Sequence, residues 1–444
     1  MTSATDRPDL AAGLRLDGLH GSLSSPTTKS MNFLNEVAQH YPDAVSFAAG
    51  RPYEEFLDLE SVHRQIDRFA AHLRERCGGD ERRVRGTLLQ YGRTKGIIHE
   101  LIARNLELDE GVHVDPEAVV VTVGCQEALY LTLRALRRDE RDVLLAVMPT
   151  YVGAAGAAHL VDMPVLPVAP SADGVDVDDL VAVARAARER GLRPRACYLV
   201  PDFGNPSGLS FGLETRERLI EAARDNGLLL LEDNPYGLFG PEPSEGNPPL
   251  PTLKSLDRSG TVVYLGSFAK TGNPGARVGY VVADQRVTGP DGRTELLADR
   301  LAELKSMLTV NTSPLAQAVI GGKLLENGGS LRTANSRESA VYRRNLRLVL
   351  EGLERRFPAG RRPYVTWNRP SGGFFLVCAL PFAAGDDLLE RCAREHRVLW
   401  TPMHHFYAGG GARRDIRLSV SHLEPDEIET GLDRLARFVS AHDA

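Results

Sequence analysis

The chain has 444 residues, 42% of them hydrophobic and 25% charged, which fits a globular protein of about two domains and excludes a fibrous or disordered one. A formal net charge of −6 offers no electrostatic basis for a nucleic acid or an anionic membrane as partner, and no apolar run approaches the roughly 20 residues that span a bilayer. The five cysteines, Cys77, Cys125, Cys197, Cys378 and Cys392, contain no Cys-x-x-Cys pair, so no metal site or disulfide framework is expected and a reducing cytoplasm is.

Residues 1–28 are rich in Ser, Thr, Pro and Asp without an apolar centre, and are expected to form a flexible arm, not a secretory signal. Residues 29–65 are expected to join the smaller of two domains. From 66 to 310 short apolar runs alternate with helical patterns. Strands are predicted at Ala118–Val123, Val143–Met148, Ala196–Val200, Leu228–Leu231, Val262–Leu265 and Val278–Val282. Helices are predicted at Gly96–Leu106, where Ile97, Ile98, Leu101 and Ile102 share a face, and at Gln126–Arg137, Leu180–Arg190 and Glu214–Asn226. Strands buried on both faces and separated by helices predict an α/β fold, a mostly parallel doubly wound sheet in a large domain. The Pro-, Gly- and Glu-rich stretch Phe239–Thr252 is a connector. Residues 311–444 follow as a smaller α+β domain. It has helices at Leu315–Leu325 and Leu331–Arg355, strands near Gly373–Cys378 and Ile416–Val420, and a last helix at Glu427–His442.

Ligands of a doubly wound sheet bind beyond the carboxyl ends of its strands, and polar residues gather there in this chain. Only six of the 53 Lys and Arg residues are lysine, yet Lys270 follows the apolar run Val262–Leu265 at a strand end. An amine can lose its proton and form a Schiff base where guanidinium cannot; the plain alternative is a solvated lysine. Gly124-Cys125-Gln126 opens a helix, where free N–H groups favour an anion, although any strand–Gly–helix junction has this form. Asp233 is either a helix cap or a carboxylate that keeps a pyridine nitrogen protonated, and Tyr236, three residues on, is either a packed turn residue or a partner for that ring's hydroxyl. Asn205, in Asn205-Pro206-Ser207-Gly208, is a turn former or a hydrogen-bond donor to the same oxygen. Past Lys270 a Gly/Pro loop ends at Arg277, whose planar fork suits phosphate, and Ser267 offers a hydroxyl to it.

Taken in order, these motifs resemble the fold-type I pyridoxal-phosphate aminotransferases, and within them the 2-aminoadipate and kynurenine type of class I/II. The likeness lies in Leu89-Gln90-Tyr91-Gly92, Gly124-Cys125-Gln126, Pro149-Thr150-Tyr151, Asn205-Pro206-Ser207-Gly208, Asp233-Asn234-Pro235-Tyr236, Ser267-Phe268-Ala269-Lys270, Arg277-Val278-Gly279, Gly372-Gly373-Phe374-Phe375 and Arg417-Leu418-Ser419. The resemblance implies a seven-stranded sheet and pyridoxal 5'-phosphate as cofactor. It implies Lys270 as the Schiff-base lysine and proton carrier, Asp233 at the pyridinium nitrogen, and Tyr236 and Asn205 at the ring oxygen. Tyr151 would lie on the pyridine face, with the phosphate on the amides of Cys125 and Gln126 and on Ser267 and Arg277. Arg417 would clamp the substrate carboxylate with Gly50 beside it. Tyr91 would reach the phosphate of a neighbouring subunit, which implies a homodimer with shared sites.

The implied reaction is ping-pong transfer of an amino group between an amino acid and a 2-oxo acid, with glutamate and 2-oxoglutarate as the default pair. Elimination, or oxidation and hydroxylation, of an amino acid on the same fold is the alternative, since it uses the same lysine and aspartate. A regulator of the aminotransferase-like kind is not expected, because fewer than about 30 residues precede the resemblance and the charge is acidic. Some positions depart from the family's pattern: Ser207 stands where Thr is commoner, Cys125 where Ser is frequent, Met403 where Gly is usual, and Arg51 is a charge in a pocket loop. The run Ser46–Tyr53, with Asn32-Phe33-Leu34 ahead of it, is similar to aminotransferases of actinobacterial peptide-antibiotic pathways. An aromatic or nonstandard substrate is therefore expected, with Phe33, Tyr53, Phe203, Phe375 and Phe406 as candidate pocket aromatics; structural roles are expected for His404 and His405.

Overall fold

The computed structural model describes residues 14–242, 248–407 and 413–443, so residues 1–13 of the expected arm and 243–247 of the expected connector lie outside the described residues. Short 3-10 turns at Leu16–Gly18 and Gly21–Ser24 lead into a helix at Pro26–His40.

Seven strands form the principal sheet: β1 (Val119–Thr122), β2 (Asp142–Val147), β3 (Val165–Val168), β4 (Arg193–Leu199), β5 (Leu229–Asp233), β6 (Val262–Ser267) and β7 (Gly279–Val282). Their order is β1-β7-β6-β5-β4-β2-β3, and every neighbouring pair is parallel except the two made by β7. This is the mostly parallel seven-stranded sheet expected. β3 is the strand not predicted by position, because Pro167 interrupts its run; an edge strand tolerates the missing donor.

Alternate residues of the strands feed separate cores. Leu144, Ala146, Ala196, Tyr198, Leu231, Val263 and Leu265 pack with the helices Gly124–Leu136 and Val152–Leu160. Val143, Leu145, Cys197, Leu199, Leu230 and Val262 pack on the other face with Val177–Glu189 and Leu213–Asp225. That period of two also sorts two consecutive acids at the end of β5. Glu232 accepts the amides of Leu253 (2.8 Å) and Lys254 (2.7 Å), starting the short helix Leu253–Leu256. Asp233 faces the opposite way, toward Tyr198.

A four-stranded antiparallel sheet follows in the order Thr366–Trp367, Phe375–Ala379, Asp415–Ser419, Thr401–Pro402. Its core, with residues from the helices Ser336–Arg356, Asp386–His396 and Pro425–His442, takes in Val37, Phe47 and Ala48. Val45–Ser46 pairs in parallel with Val398–Leu399, so the N-terminal segment is built into this unit. The single helix expected over Leu331–Arg355 is broken at Asn335 into Leu331–Ala334 and Ser336–Arg356. Periodicity did not reveal the break, because Asn335 is buried for a tertiary bond: its Nδ2 donates to Thr271 O at 2.8 Å, next to Lys270. Among the described residues no helix is long and apolar enough to cross a membrane.

Candidate active site

A cavity of about 490 Å³ opens at the carboxyl ends of β4, β5 and β6 and is roofed by the second unit. Its lining includes Gly50, Cys125, Gln126, Tyr151, Asn205, Asp233, Tyr236, Ser267, Lys270, Arg277 and Arg417. These are all the residues to which the resemblance gives a cofactor or carboxylate role except Tyr91, which is 85% exposed.

One end of the cavity is electropositive. Gly124, at φ +70°, begins the 13-residue helix Gly124–Leu136, so the first amides of that helix open on the cavity. Glycine suits that left-handed backbone, and a Cβ would also crowd Nη2 of Arg277 at 2.7 Å. Gly279 lets β7 approach the same turn, since its Cβ would meet the Cys125 amide nitrogen at 2.5 Å. The Arg277 guanidinium has no carboxylate partner among the described residues. The helix start, Ser267 and Arg277 together form a seat for an anion.

Asp233 holds the opposite charge. It is 4% exposed and accepts the Tyr198 hydroxyl at 2.7 Å and, weakly, the Cys125 thiol at 3.5 Å. Burial pushes its carboxyl up to about 6, against the pull of the two bonds. The thiol of Cys125 thus turns to the carboxylate, leaving its amide for the anion.

Lys270 follows β6 on a one-turn helix, Phe268–Thr271, whose cap Ser267 accepts the Ala269 amide at 3.2 Å. Its Nζ donates to Gly50 O at 2.7 Å and has no carboxylate partner among the described residues. Burial first, then the nearby Arg417 and Arg277, lower the amine to about 8. Lys270 therefore carries a neutral fraction near physiological pH, as a nucleophile or proton acceptor requires. Arg417, on the strand Asp415–Ser419, donates from Nη1 to Asn205 Oδ1 (2.6 Å) and from Nη2 to Ala48 O (2.6 Å) and Thr401 Oγ1 (3.1 Å). Its Nε is buried with no hydrogen-bond partner among the described residues, and the guanidinium lies 4.3 Å from the Phe375 ring centre and 5.0 Å from that of Phe406. Burial raises the phenols of Tyr151 and Tyr236, so both remain neutral donors.

Some sequence expectations need correction. Of the five pocket aromatics, Phe375 and Phe406 line this cavity. Phe203 lines a separate cavity of about 380 Å³, Tyr53 is tied through its hydroxyl to Glu424, and Phe33 packs on His405. His405 bonds Ser30 Oγ (2.7 Å) and Asp386 Oδ1 (2.8 Å), while His404 lies 3.4 Å from Asp386 Oδ2. Met403 packs behind the wall with Val152 and Phe406, and Arg51 engages Ser421 through its carbonyl oxygen. Sequence reasoning did not single out Tyr198, Thr401 or Ala48. Tyr198 carried a signal, a hydroxyl within an otherwise apolar strand; Thr401 and the Ala48 carbonyl carried none.

An anion seat, a carboxylate buried with no cation among the described residues, an aromatic wall and a depressed amine in one cavity suit a phosphorylated pyridine aldehyde, and with the doubly wound sheet they mark a fold-type I pyridoxal-phosphate enzyme. Residues 55–435 match the family model for aminotransferase class I and II. The chain is 57% identical over 436 residues to (S)-3,5-dihydroxyphenylglycine transaminase of Amycolatopsis orientalis, covering 98% of this chain and 97% of that one. It is 33% identical to 2-aminoadipate transaminase of Thermus thermophilus, over 89% of this chain and 90% of the relative. Pyrococcus horikoshii kynurenine aminotransferase superposes with a TM-score of 0.80 at 25% identity, over 98% of both chains. The chain belongs to the class I and II aminotransferases and is a pyridoxal-phosphate-dependent transaminase.

Proposed function

We propose that the chain transaminates an arylglycine of the 3,5-dihydroxyphenylglycine type and its 2-oxo acid, with glutamate and 2-oxoglutarate as the second pair. The observation that carries this reading is Lys270, a depressed amine without a counter-ion among the described residues, set in a cavity that also holds the positive seat at Arg277 and the negative Asp233. The arylglycine rests on the 57% relative, whose name states that substrate, and on the Phe375 and Phe406 rings beside Arg417.

Bound pyridoxal phosphate supplies the aldehyde and the electron-withdrawing ring that make an amino acid's Cα–H acidic. Cys125 and Gln126 amides, Ser267 and Arg277 hold its phosphate, Asp233 its ring nitrogen, Tyr236 and Asn205 its ring hydroxyl, and Tyr151 its face. Arg417 and Asn205 bind the substrate carboxylate beside Gly50. Fixing that carboxylate turns the Cα–H toward Lys270, and Lys270 Nζ takes the proton and returns it. The two half-reactions use the cavity in turn, so one 2-oxo acid leaves before the next enters.

The chain acts in the cytoplasm as a homodimer in which Tyr91 serves the partner's site. Leu89, Tyr91, Met307, Leu308, Val310 and Leu315 are exposed, and Gly92 lies near Asn311 and Pro314; exposed apolar side chains of this kind are what subunit contacts cover. The large domain takes in residues 66–310 and also Ala318, Ile320, Leu324 and Leu331, which pack with Val119, Val121 and Tyr264 and so correct the expected boundary at 310; the smaller one is built on Val37, Phe47 and Ala48 with the rest of the C-terminal part.

The test is incubation with (S)-3,5-dihydroxyphenylglycine and 2-oxoglutarate, reading glutamate. Glutamate formed by the wild type and lost in Lys270→Ala supports the reading. Ammonia released without 2-oxoglutarate, or glutamate formed equally by Lys270→Ala, overturns it.

A further inference from the structure

The two donors on Asp233 differ in kind and in reach. Tyr198 bonds Oδ2 at 2.7 Å, a full hydrogen bond; Cys125 approaches Oδ1 at 3.5 Å through a thiol, a weak donor. Tyr198 is 1% exposed near the end of β4, and its ring is packed with Leu231 and Ala196 in the core. Among the described residues no cation bonds either oxygen. The titratable groups facing Asp233 are Tyr198 from β4, Cys125 from the helix Gly124–Leu136, Tyr151 ahead of the next helix and Tyr236 beyond β5. Burial raises all four, so they stay neutral. Lys270, Arg277 and Arg417 share the cavity without bonding it. A carboxylate in such surroundings takes up a proton unless hydrogen bonds stabilise its charge.

We propose that Tyr198 and Cys125 are positioning residues for Asp233. The Tyr198 hydroxyl anchors Oδ2 and keeps the group a carboxylate, and the weakly held Oδ1 is the oxygen turned to the protonated ring nitrogen of the cofactor. Hydrogen bonds to the carboxylate lower its appetite for that proton, so the proton stays on the ring, where it withdraws electrons. Serine in place of Cys125 would donate more strongly to Oδ1, and phenylalanine in place of Tyr198 would leave Oδ2 bare. The identity of the cation rests on the function proposed above; the wiring of Asp233 does not, because it exists before any cofactor binds.

The experiment follows two signals in wild type, Tyr198→Phe and Cys125→Ser. The first is the carboxyl titration of Asp233 in cofactor-free protein labelled with 13C-aspartate, assigned with Asp233→Asn. The wild-type midpoint is expected near about 6. Tyr198→Phe should raise it by about one to two pH units, the value of one hydrogen bond to a charged group, and Cys125→Ser should lower it. The second signal is the 15N shift of ring-labelled pyridoxal phosphate bound to each protein, which should move toward the unprotonated form in Tyr198→Phe. A Tyr198→Phe protein with both signals unchanged overturns the proposal, as does a Cys125→Ser midpoint that stays or rises. Should Tyr198→Phe not fold, Cys125→Ser alone decides through its direction. Failure of the wild type to bind pyridoxal phosphate would overturn the proposed function, and the cofactor-free titration would still decide the wiring of Asp233.

Discussion

Replacing Arg417 with leucine removes the group placed to bind the substrate carboxylate. Three of the five guanidinium N–H donors are engaged, by Asn205, Ala48 and Thr401, so a substrate carboxylate taking one bond each from Nη1 and Nη2 displaces at least one of these protein acceptors. Two charge-assisted bonds at roughly 1.5–3 kcal/mol each correspond to about 3–6 kcal/mol, or about 10²–10⁴ in kcat/KM. The loss should fall on substrates that carry a carboxylate. The assay therefore compares an arylglycine with the matching benzylamine in wild type and Arg417→Leu, with thermal unfolding followed to confirm folding. Arg417→Lys, which keeps the charge without the planar fork, should lie between the two. A loss below about tenfold for the amino acid, or an equal loss for the amine, would refute the assignment.

Other consequences can be measured directly. Because the Lys270 amine is lowered to about 8 and reacts when neutral, capture of pyridoxal phosphate by the cofactor-free protein should accelerate as pH rises toward about 8 and level off above; a flat profile removes Lys270 as the acceptor. Gly279→Ala would press a methyl group to 2.5 Å from the Cys125 amide and 2.9 Å from Gly266 O, both backbone atoms, and should cost about 1–3 kcal/mol in denaturant unfolding along with weakened cofactor binding. If unfolding is unaltered, the contact between β7 and the helix start is looser than these distances imply. Inactive Lys270→Ala and impaired Tyr91→Phe chains, unfolded and refolded together, should regain about a quarter of wild-type sites if Tyr91 serves the partner. Activity no higher than that of Tyr91→Phe alone would place Tyr91 in its own subunit's site or in none.

The sheet was legible because its strands are apolar runs ending in polar clusters, and the cavity residues belong to those clusters. Lys270, Asp233, Asn205 and the Gly124 turn each sit within a few residues of a strand end, so chain order alone groups them. Contacts made across the fold left no such trace. Thr401 and Ala48 meet Arg417 only because the second sheet and the N-terminal segment fold over the first, and neither residue type announces that contact. Phe203 failed as a pocket residue for a related reason. It follows β4 closely, but its ring joins the aromatic cluster of Tyr236, Phe239, Tyr342, Phe374 and Phe375, behind the cavity wall and not in its lining. Asn335 broke a helix that its neighbours' periodicity favours, and its side-chain bonds to Thr271 O and Leu331 O account for it.

Glu232 and Asp233 are adjacent acids given unlike tasks by nothing more than the pleat of one strand. Sliding β5 by a single residue would deliver the longer side chain to the cofactor and leave the first two amides of the Leu253 helix without their carboxylate. Changes of chain length between Leu229 and Asp233 should therefore be survivable only in steps of two, and only with residues that a central strand admits.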